Sequence, residues 1–555
     1  MKDLVRVTTI GGLLRYAALT WTHHALVTPG CRWTYKEFDQ RVDEWAKAFL
    51  ALGVAHQEKV GILLAQDGEY FAAQLGAARI GAVAVPINAR FKGREFLHVV
   101  RSSEMSVLLV GGGMRGTTDY VQLTREILPE LERHRATTLN LVDAPKLRHI
   151  VIFGTAAEPP FLSAEQFWNE GGRVKPDAVT LRAERVAVRD VAIIMYTSGT
   201  TSSPKGAMLS HEALTRAAAA VGGPRQRLTT EDIVWSPLPM YHIGGTNFLL
   251  CSLTYGATHV HVGEFSPTQA LMQLDAERIS VALPAFDLIW MDILRQPGCD
   301  PTRWQKLRMV MIAVGPPTRM MEMQRLVPQA KLVSCYGATE CCGFFTYGNI
   351  DDPDEVRCDR TGIPLDGLEL RIIDVDSGRE VGAHEVGEIH YRGYTLFSGY
   401  YNEPKVTAEA IDDSGWFHSG DLGTVDESGR LKFVSRLKDM MKVGGENVAA
   451  AEIEDFLQSH PDVLTAQVVG APDSRYQEVP CAYVVRRPGA TTSEHELINF
   501  CRGKIASFKI PRYVRFVAEY PMSGTKVRKH ELRQRIADEL RHAGVSVAPK
   551  MSSNT

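Results

Sequence analysis

The chain has 555 residues, too many for one compact core, so two or more domains are expected. Hydrophobic residues make up 45% and charged residues 23%, the balance of an ordinary globular protein. The 62 Lys and Arg nearly cancel the 65 Asp and Glu, for a formal net charge of -3; with no clustered basic stretch, no nucleic-acid partner is expected.

From the start, MKDLVRVTTIGGLLRYAALTW is mildly apolar but carries Asp3, Arg6 and Arg15 and lacks a signal-peptide core. Residues 34–53 place Phe38, Val42, Trp45, Ala46 and Phe49 on one helical face. Thr34 is the expected N-cap, Glu37 its capping-box partner and Gly53 the stop. Lys59–Ala65 predicts a buried strand, Glu69–Gly81 a helix and Ala82–Pro86 another strand. The rhythm returns around residues 106–111, 148–153, 190–196, 257–262, 279–284 and 308–314. This is α/β, with mainly parallel, buried sheets. After about residue 365 the pattern shortens to Leu368–Asp374, Gly387–Tyr391 and Leu431–Ser435, parted by turn clusters, which predicts an antiparallel or barrel-like subdomain over about 366–437. Beyond Lys438 an α+β pattern begins: helix Ala450–Ser459, strands Ala466–Gly470 and Ala482–Arg486, helix Ser493–Ile505. The expected domains are therefore 1–437 and a smaller 438–555. No run of about 18 apolar residues occurs, so no transmembrane helix is expected. The nine cysteines include no CxxC pair, and adjacent Cys341 and Cys342 suit a disulfide poorly; reduced thiols and a cytoplasmic location are the simpler expectation.

The strongest chemical signal is YTSGTTSSPKG, Tyr196–Gly206, directly after the apolar strand Ala192–Tyr196. Thr197, Ser198, Thr200, Thr201, Ser202 and Ser203 supply hydroxyls, Gly199 and Gly206 allow tight turning, and Lys205 adds a positive charge. A turning backbone with its N–H groups exposed, hydroxyl donors and one cation together bind phosphate. A Walker loop needs Gly-Lys-Ser/Thr, and here Lys205 precedes Gly206, which disfavours a P-loop NTPase.

More motifs follow in order: LPMYHIGG (Leu238–Gly245), VGPP (Val314–Pro317), YGATE (Tyr336–Glu340), SGDLG (Ser419–Gly423), KVGGEN (Lys442–Asn447), FKIP (Phe508–Pro511) and PMSGTKV (Pro521–Val527). Together with YTSGTTSSPKG, this series resembles the adenylate-forming enzymes: acyl-CoA synthetases, aryl-CoA ligases, luciferases and peptide-synthetase adenylation domains. The resemblance spans nearly the whole chain and points to an acyl-CoA synthetase, or fatty- or aryl-acid CoA ligase.

It implies roles residue by residue. Thr197, Ser198, Gly199, Thr200, Thr201 and Lys205 would cradle phosphates. Gly315 and Pro316 would lie beside adenine, although VGPP matches the family pattern loosely. Tyr336 would stack on adenine in one turn with Gly337 and Ala338, and Thr339 would bond the adenylate phosphate. Glu340, with Thr197, would offer oxygen ligands to Mg²⁺. Asp421 would accept from the ribose hydroxyls, and Arg436 would reach ribose or phosphate. His242 would lie beside the substrate carboxylate without acting as a nucleophile. Lys442, Gly444, Gly445 and Glu446 would form the loop that admits the pantetheine arm of coenzyme A. Lys526 would be the adenylation lysine, with Lys529 as fallback; Thr525 stands where relatives carry Gly, and the loop is shorter. Lys438 would be the hinge of a mobile C-terminal domain. His242, Gly244, Gly245, Ala338 and Gly343 would line the acyl pocket. Four of these five residues are small, which suggests room for a medium- or long-chain fatty acid or a bulky ring acid. The implied reaction is carboxylate plus ATP to acyl-AMP and pyrophosphate, then coenzyme A to acyl-CoA and AMP. Catalysis would rest on Lys526, Thr197, Lys205, Glu340 and His242. Three alternatives stay open: an acyl-AMP ligase serving a carrier protein, a luciferase-like oxidase and a non-catalytic nucleotide-binding module. The resemblance also leaves room for peripheral membrane contact and a homodimer.

Overall fold

The computed structural model describes residues 9–112, 118–197, 204–443, 446–523 and 526–549. Helix α1 (Tyr35–Ala51) forms for local reasons. Thr34 Oγ1 accepts the Glu37 N–H while Glu37 accepts the Thr34 N–H, and Phe38, Val42, Trp45, Ala46 and Phe49 are buried along one face. Gly53, at φ +69°, follows its end.

Two large sheets carry the first part of the chain. In the seven-stranded sheet, Lys59–Leu63, Val83–Pro86, Met105–Gly111, His149–Phe153 and β1 (Val191–Thr197) run parallel. Their continuous apolar runs follow from helices covering both faces. The last strand differs: β2 (Lys205–Ser210) pairs antiparallel with β1, Thr197 opposite Lys205 and Tyr196 opposite Gly206. Lys205 and Gly206 thus belong to a strand, beyond the loop proper. In the nine-stranded sheet, Ile233–Ser236, Thr258–His261, Val281–Ala285, Met309–Ala313 and β3 (Lys331–Tyr336) are parallel. Helix α2 (Ile243–Tyr255) is buried almost all round, and α3 (Pro317–Leu326) follows the Met309–Ala313 strand. The first four motifs all begin just past the carboxyl ends of parallel strands: after β1, after Ser236, after Ala313 and at the end of β3. Open parallel sheets bind ligands at that end.

The β-rich part is an open, four-stranded antiparallel sheet of β4 (Glu369–Ile373), β5 (Gly387–Arg392), β6 (Phe417–Val425) and β7 (Leu431–Arg436), in that order. It is antiparallel as expected, but not barrel-like. Strand β6 is also absent from the sequence expectation, because Ser419-Gly420-Asp421 reads as a turn and lies instead inside a bulged strand.

After the single turn Leu437–Asp439, the hairpin Met440–Val443/Glu446–Ala449 leads into helix Ala450–Gln458 and the long hairpin Val463–Asp473/Gln477–Arg486. The apolar clusters of this part begin at Met441, whereas those of the preceding part end at Leu431. Polar contacts cross between them: Thr318 Oγ1 donates to Asp455 Oδ1 (2.6 Å), and Arg319, paired with Asp287 (2.6 Å), also donates to the Leu464 carbonyl (3.2 Å). No helix among the described residues is long and apolar enough to cross a membrane.

Candidate active site

Tyr336 ends β3 and turns its hydroxyl to Asp421, donating to Oδ2 at 2.8 Å. One face of its ring stacks on Phe433, centroids 6.2 Å apart. Burial, and then the Asp421 carboxylate, push the Tyr336 hydroxyl well above its usual value, so it stays a donor. Arg436 faces Asp421 across β6 and β7, its Nε 3.6 Å from Oδ1. A carboxylate has about four lone-pair positions, so Asp421 can hold Tyr336 and still accept two ribose hydroxyls. The bulge between β5 and β6 presents Asp421. Glu388 pairs with Leu422 and His390 with His418, so the three residues 419–421 stand opposite Ile389 alone, two in excess. Gly420 takes the left-handed φ of +66° that the bulge requires. Three bonds pin it: Gly420 N–H to Glu388 Oε1 (2.9 Å), Ser419 Oγ to the Ile389 carbonyl (2.6 Å) and Asp421 N–H to Ser419 Oγ (3.0 Å).

The part expected to take phosphate is built on the single turn Thr339–Cys341. The Glu340 carbonyl accepts the Phe397 N–H (2.8 Å), and Glu340 Oε1 accepts the Tyr400 hydroxyl (2.8 Å). The Tyr400 ring lies 5.5 Å from Lys205 Nζ. Residues 398–401 run along the outer side of β2, with Met208 N–H to Gly399 O, Ser398 N–H to Met208 O and Tyr401 N–H to Gly206 O. Tyr400 therefore stands between Lys205 and Glu340, which sequence reasoning had assigned separately. Thr197 Oγ1 donates to the Lys205 carbonyl at 3.4 Å, and His98 Nε2 lies 2.9 Å from the Pro204 carbonyl. Ser198, Gly199, Thr200 and Thr201 lie outside the described residues. Glu340 fits Mg²⁺, because a carboxylate is a hard oxygen ligand and Tyr400 occupies just one of its oxygens. Tyr400, His98 and Glu388 escaped the sequence reading; no charge pattern or spacing marks them, and only contacts across 32 to 106 positions give them a place. Tyr400→Phe removes the donor to Glu340 and keeps the ring. Losing a hydrogen bond to a charged group costs about 1.5 kcal/mol, so the KM for MgATP should rise roughly tenfold. An unchanged KM in steady-state kinetics would remove Tyr400 from the site.

On the acyl side, His242 precedes α2 in extended conformation, half-buried, its ring edge-on to Tyr241 at 4.9 Å. The glycines of this motif serve the protein itself. A Cβ on Gly245 would lie 2.5 Å from the Pro239 carbonyl oxygen, and one on Gly244 2.6 Å from Leu238 Cδ1. Their small size admits the returning loop, so the room inferred from Gly244 and Gly245 is already filled. Ala338 and Gly343 remain candidate lining. Gly343, at φ +99°, faces Ile243 of α2, the Gly343 N–H bonds the Ala338 carbonyl (2.9 Å), and Asn247 Nδ2 donates to the Cys342 carbonyl (2.8 Å). A Cβ on Gly337 would lie 2.2 Å from the Gly343 carbonyl oxygen.

Gly315 and Pro316 connect the Met309–Ala313 strand to α3. Lys438 sits in the turn after Arg436; burial first, and then Arg436, lower its pKa, while Asp439 and Asp421 oppose. Lys442 and Glu446 are exposed on their hairpin, and Gly444 and Gly445 lie outside the described residues. Lys526 pairs with Ser523 in a two-stranded hairpin, and its side chain lies outside the described residues. The fallback, Lys529, is tied to Glu454 at 2.7 Å.

Residues 14–401 match the family model described as AMP-binding enzyme, and residues 452–529 match the AMP-binding enzyme C-terminal domain. The chain belongs to the AMP-binding enzyme family. Relatives span almost its whole length. Mouse (Mus musculus) medium-chain acyl-CoA ligase ACSF2, mitochondrial, is 31% identical over 96% of this chain and 88% of its own. The 3-[(3aS,4S,7aS)-7a-methyl-1,5-dioxo-octahydro-1H-inden-4-yl]propanoyl:CoA ligase of Rhodococcus jostii is 33% identical over 95% of this chain and 98% of its own. The anthranilate CoA ligase AuaEII, solved with anthranoyl-AMP, superposes with a TM-score of 0.85 at 24% identity, covering 96% of this chain and 98% of its own, and shares the fold.

Proposed function

We propose that this AMP-binding enzyme is an ATP-dependent acid–CoA ligase acting on a medium- or long-chain fatty acid or a bulky ring acid. One observation carries the reading. The turn Tyr336–Glu340 holds Asp421 at its ribose end and Tyr400 with Lys205 at its phosphate end, and continues to Gly343 against α2 on the acyl side. In the first half-reaction a carboxylate oxygen attacks the α-phosphorus, the bond to pyrophosphate breaks and acyl-AMP forms. Lys205 and the donors of the Thr197 loop offset the charge that builds on the phosphoryl oxygens. Glu340, with Thr197 as second candidate, would hold Mg²⁺, which supplies charge neutralisation for the triphosphate. His242 orients the acid. In the second half-reaction the thiolate of coenzyme A attacks the acyl carbonyl, and the bond to AMP breaks.

The same reading divides the chain near Lys438, with the two groups of apolar clusters in support, and makes residues 438–555 the mobile part. The Lys442–Glu446 hairpin would meet the pantetheine arm. Lys526, favoured over the ion-paired Lys529, would serve adenylation. An aqueous cytoplasmic location suits ATP and coenzyme A as substrates. The names of the two ligase relatives support the acid class, one medium-chain and one a ring system bearing a propanoyl arm.

A panel of straight-chain acids tests it, with AMP, pyrophosphate and thioester followed with and without coenzyme A. AMP release should depend on coenzyme A. Each added CH₂ contributes about 0.8 kcal/mol, so kcat/KM should climb roughly fourfold per carbon over the preferred range. A preference for acetate or propionate would refute the acid class; acyl-AMP accumulating regardless of coenzyme A would refute the ligase.

A further inference from the structure

Beside the ribose end lies a polar group that the ligase reading does not use. Glu388 and His390 alternate along β5 and point to the same face, and His418 of β6 stands directly opposite His390. One ligand atom from each of the three side chains lies within 4.8 Å of the other two. The two imidazoles stack at 4.0 Å with 12° between their planes, so the more exposed His418 must turn for both to meet one ion; Glu388 Oε2 is 3.0 Å from His390 Nε2. His390 is 6% exposed and Glu388 17%, so the sheet holds both in place, while His418, at 38%, opens to solvent. Asp412 Oδ2 lies 3.4 Å from His418 Nε2. Among the described residues no other group of three ligating side chains is this close.

We propose that Glu388, His390 and His418 form a site for a divalent transition metal of the zinc class. Two imidazoles and a carboxylate suit Zn²⁺, Ni²⁺ and Co²⁺, whereas Mg²⁺ prefers oxygen ligands throughout. The strand pairing supplies three ligands and leaves a fourth position for water or Asp412. Binding takes the Nε2 position, so the proton on His390 moves from Nε2 to Nδ1; Arg371, whose N–H faces that nitrogen at 3.4 Å, loses its acceptor there and keeps its bond to Asp412 (3.1 Å). The other carboxylate oxygen of Glu388 holds the Gly420 N–H, so the ion ties β5 to the bulge that presents Asp421. Metal and nucleotide are coupled through that bulge, and the coupling is reciprocal.

The test uses the full chain, stripped with a chelator and titrated with Zn²⁺ by calorimetry and with Co²⁺ by visible absorption. We expect one equivalent bound, with d–d bands of a four-coordinate site and no thiolate charge-transfer band. His390→Gln and His418→Gln should each weaken binding about tenfold or more. His418→Gln keeps the test valid if the buried His390 variant does not fold. The affinity for AMP should differ at least threefold between stripped and zinc-loaded protein. Absence of binding, an affinity unchanged in His418→Gln, a thiolate band or equal AMP affinities would each overturn the proposal.

Discussion

Asp421→Ala is expected to raise the KM for ATP about a hundredfold and to leave the KM for the acid nearly unchanged. In the proposed function the carboxylate accepts from both ribose hydroxyls, and each hydrogen bond to a charged group is worth about 1.5–3 kcal/mol. The substitution also strands the buried Tyr336 hydroxyl and leaves Arg436 without its partner. Part of the effect is therefore structural, and Tyr336→Phe separates the two contributions. It removes the internal donor and keeps the carboxylate, so it should lower the melting temperature slightly and change the KM for ATP less than tenfold. An Asp421→Ala enzyme whose KM for ATP stays within threefold of wild type would show that ribose is held elsewhere.

Lys526→Ala should split the two half-reactions. Removing one preorganised group that stabilises transition-state charge typically costs about 10²–10³-fold, and the loss should fall on acyl-AMP formation, measured by pyrophosphate exchange. Thioester formation from synthetic acyl-AMP should stay within about tenfold, because in the proposed function the mobile part 438–555 carries Lys526 away from the reacting centre before the thiolate attacks. Equal losses in both assays would mean that Lys526 binds nucleotide in both steps or supports the hairpin it shares with Ser523. Lys529→Ala is the control. Lys529 is held by Glu454, so its loss should act on stability and spare the ratio of the two rates.

What the sequence makes legible here is local. Thr34 and Glu37 cap α1 through bonds three residues apart, and Lys59–Leu63 and Val83–Pro86 announce themselves as apolar runs. The motif residues could be placed because their strands end where ligands bind. What stayed hidden depends on distant partners. Lys205 looks like a loop residue until β2 pairs back on β1. Asp421 sits in a string of turn formers, and only the ladder with β5 and β7 makes that string a strand. Tyr400 reaches Glu340 across 60 positions. Glycine invites a reading of open space, yet at Gly245 two carbonyl oxygens fill the place of the missing side chain.

The turn from Tyr336 to Gly343 has a consequence for how such an enzyme changes its diet. Gly337 touches the Gly343 backbone, Ala338 bonds Gly343, and Asn247 bonds Cys342, so the acid side and the nucleotide side share one piece of backbone. On the proposed function, a larger residue at Ala338 or Gly343 reshapes the acid's berth and strains the grip on adenosine together. Side chains of α2 such as Ile243 touch the turn from outside. A designer seeking a new acid has the cheaper substitutions on that helix.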